Sequence, residues 1–292
     1  MGQFLHDKGF SYEYLGNSFG LLVKWKYFTL RTFLAFEKSQ RSSRPKHGLK
    51  KIKSLKNQMS GPAVIIGNAP SASDLLKIDL LGLKVRHTIF CMNWFYKTDL
   101  SKHLAPDFLF LCDRPFWSQD YSKYRELIKE MQQLNDFLIV QPDNFENFGD
   151  ESGTLKIRKN PLTSFSKSIS VTSSFSGMPN YTVFFMIATA IHLGYAPIYI
   201  IGHDFNHYKF MNLDSSGVKL LPHHSYAENP TRWSGRESVS RILNANLQQI
   251  NALKLFTDKR VFVLGTNPPH DILPFLSLKD FSHLWNLSSG RP

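Results

Sequence analysis

The run Ala63-Val64-Ile65-Ile66-Gly67-Asn68-Ala69-Pro70-Ser71 decides the fold of this chain. Its first four residues are apolar and mostly β-branched, as is typical of a strand that is buried on both faces of a parallel sheet. Gly67 and Pro70 then break the run into a tight turn. Ser71 or Ser73 is placed to cap a helix after that turn. The run therefore predicts a buried strand, a turn and a helix.

Apolar and amphipathic runs alternate along the rest of the chain. The predicted strands cover residues 88–92, 108–112, 137–141, 198–201 and 261–264. The predicted helices cover residues 121–135, 182–193 and 238–255. Alternation of this kind predicts an α/β fold with a doubly wound, mostly parallel, Rossmann-like sheet.

Composition favours a globular protein that works inside the cell. The 292 residues are 42% hydrophobic, enough to fill a sizeable core. Cys91 and Cys112 both lie in apolar runs, which favours free thiols in a reducing compartment. No apolar run is long enough to span a bilayer, and the first residues lack the pattern of a secretion signal. We therefore expect a cytoplasmic protein.

The net charge of +12 comes largely from the N-terminal part of the chain. Residues 38–56 carry many lysines and arginines and no acidic residue, and residues 19–36 form an aromatic, basic, amphipathic segment. Linker-like residues, Ser42, Ser43, Pro45 and Gly48, suggest a helical extension over 1–58 and a single nucleotide-binding domain over 59–292. Residues 19–56 either contact the inner face of the membrane peripherally or pack on the domain. We expect no nucleic-acid partner, because no nucleic-acid-binding fold accompanies the charge, and a homo-oligomer stays open.

Polar residues follow five of the predicted strands. They are Asn68 and Ser71; Asn93, Tyr96 and Lys97; Asp113 and Arg114; His203, Asp204, Asn206, His207 and Tyr208; and Thr266 and Asn267. Ligands of doubly wound sheets bind at the carboxyl ends of the strands. The five sets therefore predict a polar crevice that holds a ligand.

The sequence of the turn at residues 67–71 limits which ligands and reactions the crevice can support. It lacks the three glycines of the dinucleotide fingerprint and the Lys-Ser/Thr pair of a P-loop, so hydride transfer and ATP hydrolysis lose their support. A tight turn at a helix N-terminus instead suits a phosphate or a carboxylate. Ala69 fits such a turn provided that its φ is negative.

Three blocks resemble the motifs of bacterial sialyltransferases that use CMP-sialic acid. Residues 64–71, Val-Ile-Ile-Gly-Asn-Ala-Pro-Ser, resemble their Gly-Asn-Gly-Pro-Ser opening, and residues 91–96, Cys-Met-Asn-Trp-Phe-Tyr, resemble their Arg-Cys-Asn-Gln-Phe-Tyr motif. Residues 188–204 are similar to their helix, Leu-Gly-Tyr turn, strand and Gly-Ile-Asp end. The same blocks mark a wider family of surface-glycan and flagellin-modification proteins, which includes an archaeal pterin pyrophosphokinase.

The resemblance covers about residues 61–275 and implies roles for matching positions. It places Asn68 and Asn93 on the nucleotide and its phosphate, with Thr182 close to the nucleotide. Asp113 stands where the family has an asparagine that faces donor and acceptor. A lid at about 205–236 would supply tyrosines for the leaving phosphate and a histidine as general base. The full set of expected donor-binding residues is Gly67, Asn68, Ala69, Pro70, Ser71, Asn93, Thr182, Asp204 and Asn267, and the expected catalytic residues are His224, Tyr208, Tyr226 and Asp113.

The chemistry of sugar transfer accounts for these residue types. The acceptor hydroxyl must lose its proton as it attacks, and a histidine that titrates near neutral pH can take that proton. No Asp-x-Asp metal motif follows a predicted strand. Charge on the leaving phosphate would then be stabilised by the lid tyrosines with Arg232 or Arg236. We therefore expect a glycosyltransferase with no metal and no cofactor, using CMP-linked sialic acid or a related acidic sugar as donor and a surface glycan as acceptor.

One departure from the family keeps two alternatives open. The third family motif carries an arginine before a Ser-Gly pair, and residues 178–182 contain no arginine. A pterin-type pyrophosphokinase would need ATP, magnesium and a carboxylate pair, for which Asp113 and Asp204 are the candidates. A non-catalytic nucleotide-binding protein would keep the crevice without the base.

Overall fold

The computed structural model describes residues 47–113, 116, 122–143, 153–158, 169–172, 181–203, 211–214, 217–220, 231–233, 247–266 and 271–288. The amphipathic segment 19–36 lies outside these residues. So do five of the predicted site residues: Asp204, Tyr208, His224, Tyr226 and Asn267.

Strands and helices alternate through most of the described chain. The strands are β1 Ala63–Ile66, β2 Thr88–Met92, β3 Phe108–Phe110, β4 Leu138–Pro142, β5 Thr154–Ile157, β6 Ile198–Ile201, β7 Met211–Asp214, β8 Gly217–Leu220, β9 Thr231–Trp233, β10 Val261–Gly265 and β11 Phe275–Ser277. The α-helices are α1 His47–Ser54, α2 Leu80–Arg86, α3 Ser122–Leu134, α4 Thr182–Leu193 and α5 Leu278–Ser288, and residues 247–253 are also helical. Short 3-10 helices cover Pro70–Lys77, Phe95–Lys97, Asp99–Lys102 and Lys254–Phe256.

Eight strands form one parallel sheet in the order β11-β10-β6-β1-β2-β3-β4-β5. From β1 the chain builds outward to β5, and it then returns to the other side of β1 with β6, β10 and β11. The strand order therefore reverses between β1 and β6, where ligands of doubly wound sheets bind. The predicted Rossmann-like α/β fold is confirmed, and this sheet is entirely parallel.

The strands send alternate side chains to two helical layers. Ala63 and Ile65 of β1 belong to the same core as α1 and α4, whereas Val64 and Ile66 pack into the core that contains side chains of α2, α3 and α5. Helix α4 is buried along most of its length. Truncating a fully buried phenylalanine such as Phe184 would cost about 3–5 kcal/mol.

The central elements agree with the sequence prediction, and the edges of the sheet do not. β1, β2, β6 and α4 have the predicted bounds, while β3, β4 and β10 differ from their predicted bounds by one or two residues. The edge strands β5 and β11 are absent from the prediction. Both are short, and their sequences, Thr-Leu-Lys-Ile and Phe-Leu-Ser, lack a continuous apolar run.

The start of the described chain belongs to the packed fold. Gly48, expected in a linker, lies inside α1. Leu49 and Ile52 of this helix are buried, and α1 packs against β5. In the part of the chain that the structure describes, no helix is both long enough and apolar enough to cross a bilayer.

Strands β7, β8 and β9 form a separate three-stranded antiparallel sheet. All three fall inside residues 205–236, the segment predicted as a lid. β7 and β8 are antiparallel neighbours, paired from Met211 with Leu220 to Asp214 with Gly217.

Candidate functional site

The turn after β1 lies directly against the turn after β6. Gly67 donates its backbone N–H to the carbonyl of Ile201, and Ala69 donates to the carbonyl of Gly202, both at 2.8 Å. A Cβ on Gly67 would stand 2.0 Å from the carbonyl oxygen of Gly202, whose own φ is +72°. Both positions therefore require glycine, and the two backbones touch where the strand order reverses.

Ala69 meets the condition that the sequence sets for it, because its φ is −72°. Pro70 then begins a 3-10 helix, with Ala69 as its N-cap residue and no side chain capping it. The hydroxyl of Ser73 donates to the carbonyl of Pro70 at 2.6 Å. The predicted serine cap is therefore wrong: Ser71 and Ser73 lie inside the helix, where a hydroxyl does not reach back to its first N–H groups.

Asn93 follows β2 in the left-handed conformation, with φ of 45°. Its N–H donates to the carbonyl of Phe110 at 2.7 Å, and its carbonyl accepts from the hydroxyl of Tyr124 at 2.7 Å. Its side-chain oxygen accepts from the N–H of Cys112 at 3.2 Å. Asparagine tolerates this conformation better than most residues with a side chain. These bonds tie the residue after β2 to the end of β3 and to α3.

Asn93, Asp113 and Thr182 form a hydrogen-bonded triangle. Nδ2 of Asn93 donates to Oδ2 of Asp113 at 2.6 Å and to the hydroxyl of Thr182 at 3.3 Å. The Thr182 hydroxyl in turn donates to Oδ1 of Asp113 at 3.4 Å. Thr182 is the first residue of α4, and the N-terminal end of a helix favours a negative group. The triangle thus fixes the orientation of an exposed carboxylate at the carboxyl edge of the sheet.

Asn68 is only 6% exposed, and only the nitrogen of its side-chain amide has a hydrogen-bond partner among the described residues. Nδ2 donates to the carbonyl of Met92 at 3.3 Å, while Oδ1 is buried and has no hydrogen-bond partner among the described residues. A buried acceptor without a partner costs about 1–3 kcal/mol. Rotating the amide by half a turn would place its oxygen against the Met92 carbonyl, so rotation does not remove this cost. Asn68 therefore offers an acceptor to a ligand.

An aromatic group supports the Asn93 backbone. The ring of Trp94 lies 4.4 Å from that of Phe116 and 4.6 Å from that of Tyr124, and the Lys97 ammonium stands 4.4 Å from the Trp94 ring centre. A cation over an aromatic face is attracted by the ring quadrupole. The group holds Tyr124 so that its hydroxyl reaches the Asn93 carbonyl.

Tyr124 is absent from the residues expected at the site. The signal that could have found it is the spacing of Tyr124, Ile128 and Met131, which places the tyrosine on the apolar face of the predicted helix. A tyrosine on a buried helix face usually finds a partner for its hydroxyl. That partner is the backbone of Asn93.

Tyr96 and Lys97, two of the polar residues expected after β2, do not join the triangle. The Tyr96 ring packs near Phe95 and Phe137, and its hydroxyl is buried with no partner in the described part of the chain. Burial, with a smaller effect of the nearby Cys91, raises the pKa of Tyr96 well above its usual value. The phenol therefore stays protonated.

The polar residues after β4 and β5 pair with each other. Nε of Arg158 lies 3.0 Å from Oδ2 of Asp143, and both side chains are largely buried. Because Asp143 follows β4, strands β2 and β3 stand between this pair and β1. Arg158 thus does not stand where the arginine of the family motif would be expected.

The described residues include neither the side chains of the predicted lid nor two of the expected donor-binding residues. Asp204, Tyr208, His224, Tyr226 and Asn267 lie outside the described residues, as do His223 and Arg236, and only the backbone of Arg232 is described, in β9. Among the described residues, no group of three His, Cys, Asp or Glu side chains is arranged to hold a metal ion.

Comparison with known proteins gives one distant likeness. No protein-family model and no curated protein matches the chain. A solved structure described as the MAf glycosyltransferase from Magnetospirillum magneticum AMB-1 is similar over 83% of this chain, with a TM-score of 0.38 and 15% sequence identity. The match spans 42% of that protein. A likeness this distant says nothing about donor, acceptor or catalytic residues.

Proposed function

We propose that this protein is a glycosyltransferase that binds a nucleotide-activated sugar at the carboxyl edge of the sheet around β1. The observation that carries the proposal is the convergence of Asn68, Asn93, Asp113 and Thr182. These residues come from the ends of three strands and the start of α4, and hydrogen bonds link three of them directly. They are also the positions that the sialyltransferase-like motifs assign to the donor. CMP linked to sialic acid or a related acidic sugar is the favoured donor.

The free acceptor of Asn68 favours the nucleoside rather than the phosphate as its partner. A phosphate oxygen carries no proton to donate, whereas a ribose hydroxyl and the amino group of cytosine both do. Cytosine therefore supplies a donor of the kind that Asn68 lacks. The resemblance places Asn68 on the nucleotide and its phosphate, and within that assignment we give the Asn68 oxygen to the base or the ribose.

The Asp113 carboxylate favours the sugar and acceptor side of the site. A carboxylate close to the leaving phosphate would repel it. The same carboxylate can accept a hydrogen bond from a sugar hydroxyl, and Asn93 and Thr182 hold it in one orientation. We therefore place the reacting sugar beside Asp113 and the phosphate nearer to the turn that follows β1.

The reaction proceeds by attack of the acceptor oxygen on the anomeric carbon of the donor. The bond from that carbon to the phosphate oxygen breaks with its electron pair, and the nucleoside monophosphate leaves. The acceptor proton passes to the neutral imidazole of His224. Tyr208, Tyr226 and Arg232 or Arg236 stabilise the charge on the leaving phosphate by hydrogen bonds, without a metal.

Calorimetric titration with CMP, UDP and GDP tests the donor. We expect saturable binding of CMP and weaker or no binding of the other two. Binding of UDP or GDP without CMP would contradict the donor, while binding of none would contradict a nucleotide site. Loss of activity on chelation would instead favour a magnesium-dependent pyrophosphokinase that pairs Asp113 with Asp204.

Replacement of His224 tests the general base. We expect His224→Ala to lower the rate of sugar transfer by about 2–4 orders of magnitude with almost no change in CMP affinity, because the base contacts the acceptor hydroxyl. His223→Ala is the matched control and should keep most of the rate. The opposite result moves the role to His223, and near-normal rates in both variants exclude a histidine base in this segment.

A further inference from the structure

A second concave site lies away from the crevice. A pocket of about 480 Å³ opens between the end of α1, residues 169–172 and the last turns of α4. Helix α4 has 12 residues and begins at the crevice with Thr182, so its His192 end stands roughly 15–18 Å away. The pocket is thus physically separate from the triangle of Asn93, Asp113 and Thr182.

The pocket lining combines cationic, polar and apolar side chains. Lys53 and Lys56 supply ammonium groups, His192 supplies an imidazole ring, and Asn57, Ser170 and Thr172 supply amide and hydroxyl groups. Ile169, Ala188 and Ile191 complete the lining. None of these described lining residues is acidic. The chemistry therefore matches an anion that carries an apolar portion.

Two lysines give the pocket charge that the described protein does not neutralise. Lys53 and Lys56 are exposed, and neither has an ion-pair partner in the described part of the chain. α1 itself contains no acidic residue in its sequence, His-Gly-Leu-Lys-Lys-Ile-Lys-Ser. By contrast, Lys77 and Lys102 on the surface are paired with Asp74 and Asp99.

Hydrogen bonds hold the wall of the pocket in shape. Nε2 of His192 lies 2.9 Å from the carbonyl of Ile52, so this nitrogen carries a proton and donates it to α1. The backbone N–H of Asn57 donates to the carbonyl of His192 at 2.9 Å, and Asn57 has a φ of 54°. The hydroxyls of Ser170 and Thr172 lie 3.5 Å apart. α1 and α4 are therefore joined on both sides of the lysines.

We propose that this pocket binds a phosphate group, carried either by a membrane lipid or by a soluble phosphorylated molecule. Lys53 and Lys56 supply the charge, the Ser170 and Thr172 hydroxyls donate to phosphate oxygens, and the apolar side chains of the lining contact the remainder of the ligand. The site is independent of the proposed sugar transfer. Either can fail while the other stands.

Binding of inorganic phosphate to the full chain, measured by phosphorus NMR and equilibrium dialysis, tests the proposal. The pocket variant is Lys53→Gln with Lys56→Gln, which keeps two long polar side chains. The control variant is Lys77→Gln with Lys102→Gln, which removes the same net charge elsewhere. We expect the pocket variant to lose about tenfold or more in phosphate affinity, as for a lost charge-assisted hydrogen bond, and the control to stay near the wild type. CMP titration of both variants should be unchanged.

Vesicles distinguish the two sources of the phosphate. If vesicles of phosphatidylcholine mixed with phosphatidylglycerol displace inorganic phosphate and vesicles of phosphatidylcholine alone do not, the natural ligand is an anionic lipid. If neither vesicle displaces it, the ligand is a soluble phosphorylated molecule. Absence of phosphate binding by the wild type, or an equal loss in both double variants, overturns the proposal, because the lysines would then act only as general surface charge.

Discussion

β1 and β2 are neighbours in the sheet, and each ends in a buried asparagine with a different set of partners. Asn93 after β2 finds partners within the protein for both its amide oxygen and its amide nitrogen: the oxygen accepts from Cys112, and the nitrogen donates to Asp113 and Thr182. Asn68 after β1 donates once, to Met92, and its oxygen has no partner among the described residues. The same residue type therefore stabilises the packed fold at the end of β2, and at the end of β1 it holds the acceptor that we propose for the ligand.

Under the proposed function, this difference lets a rigid crevice bind its ligand. The bonds of Asn93 hold the ends of β2 and β3 and the start of α4 in one arrangement before any ligand arrives. Such preorganisation lowers the entropy lost on binding. In the proposed complex, the unused acceptor of Asn68 gains a hydrogen bond from the ligand. Substitutions at the two positions should separate stability from affinity.

Asn93→Ala should have the largest effect on folding. The change leaves the buried N–H of Cys112 without its acceptor and forces an alanine into a left-handed conformation, which together cost about 3 kcal/mol. Urea unfolding of the wild type and the variant measures this loss in the free energy of unfolding.

Asn93→Gly is the matched control, because glycine accepts a φ of 45° and lacks the side chain. It should be more stable than Asn93→Ala by about 1 kcal/mol and still less stable than the wild type. Equal stability of the two variants would mean that the backbone conformation contributes nothing.

Tyr124→Phe should have a smaller effect on stability together with an effect on binding. It removes the hydroxyl that donates to the Asn93 carbonyl, at a cost of about 1 kcal/mol, and it loosens the residue that orients Asp113. We expect CMP affinity to fall several-fold in calorimetric titration.

Tyr195→Phe is the control for Tyr124, because the Tyr195 hydroxyl bonds to Thr88 at the opposite end of β2. It should lose a similar amount of stability and keep the CMP affinity of the wild type. A fall in affinity for both variants would show that general loosening of β2 weakens binding, and Tyr124 would lose its positioning role.

The amino end of β2 should make the stability of the fold depend on pH. Burial lowers the pKa of His87 below its usual value of 6.5. The hydrogen bond to the Leu83 carbonyl partly offsets this effect, and the charge of Arg86 lowers the pKa further. Above pH 6.5 the histidine is neutral both folded and unfolded. As the pH falls below 6.5, His87 is protonated in the unfolded chain before it is protonated in the folded protein. The free energy of unfolding therefore decreases by up to about 1.4 kcal/mol per pH unit.

His87→Phe should flatten this pH dependence between pH 7 and 5 and keep a ring near Tyr199 and Phe281. The change His103→Gln, at an exposed histidine, should leave it intact. An unchanged slope in His87→Phe would assign the pH dependence to other histidines.

The sequence predicts most of the sheet because its central strands are continuous apolar runs. Residues such as Val64, Ile65 and Ile66 can only be buried on both faces, and the polar residues after them must then gather at one edge. Edge strand β5 escapes prediction because its polar Thr154 and Lys156 break the run, although both side chains are buried. Helix α1 packs against β5 and helps to bury it, but the glycine and lysines of this helix are typical of a linker in the sequence.

The sequence motifs name candidate residues for the site, but they do not predict the hydrogen bonds between them. The motifs bring Asn68, Asn93, Asp113 and Thr182 together, and the structure places them at one edge. The sequence does not reveal which of the two asparagine amides has partners for both its nitrogen and its oxygen. The partners depend on the left-handed φ of Asn93 and on the position of the Cys112 N–H, and neither can be predicted from the residue types. The role of Tyr124 depends on a helix meeting a backbone carbonyl from another element, which is a tertiary contact.

Asn68→Ala, measured by CMP titration and urea unfolding on the same preparation, tests the central claim most directly. The variant loses the 3.3 Å hydrogen bond to the Met92 carbonyl, which destabilises the fold, and it removes a buried oxygen without a described partner, which stabilises it. Because the two effects oppose each other, the free energy of unfolding should stay within about 1 kcal/mol of the wild type. Its CMP affinity should fall about tenfold, because the ligand loses its acceptor. Unchanged affinity, or a loss of stability as large as that of Asn93→Ala, would contradict the assignment of Asn68 to the ligand.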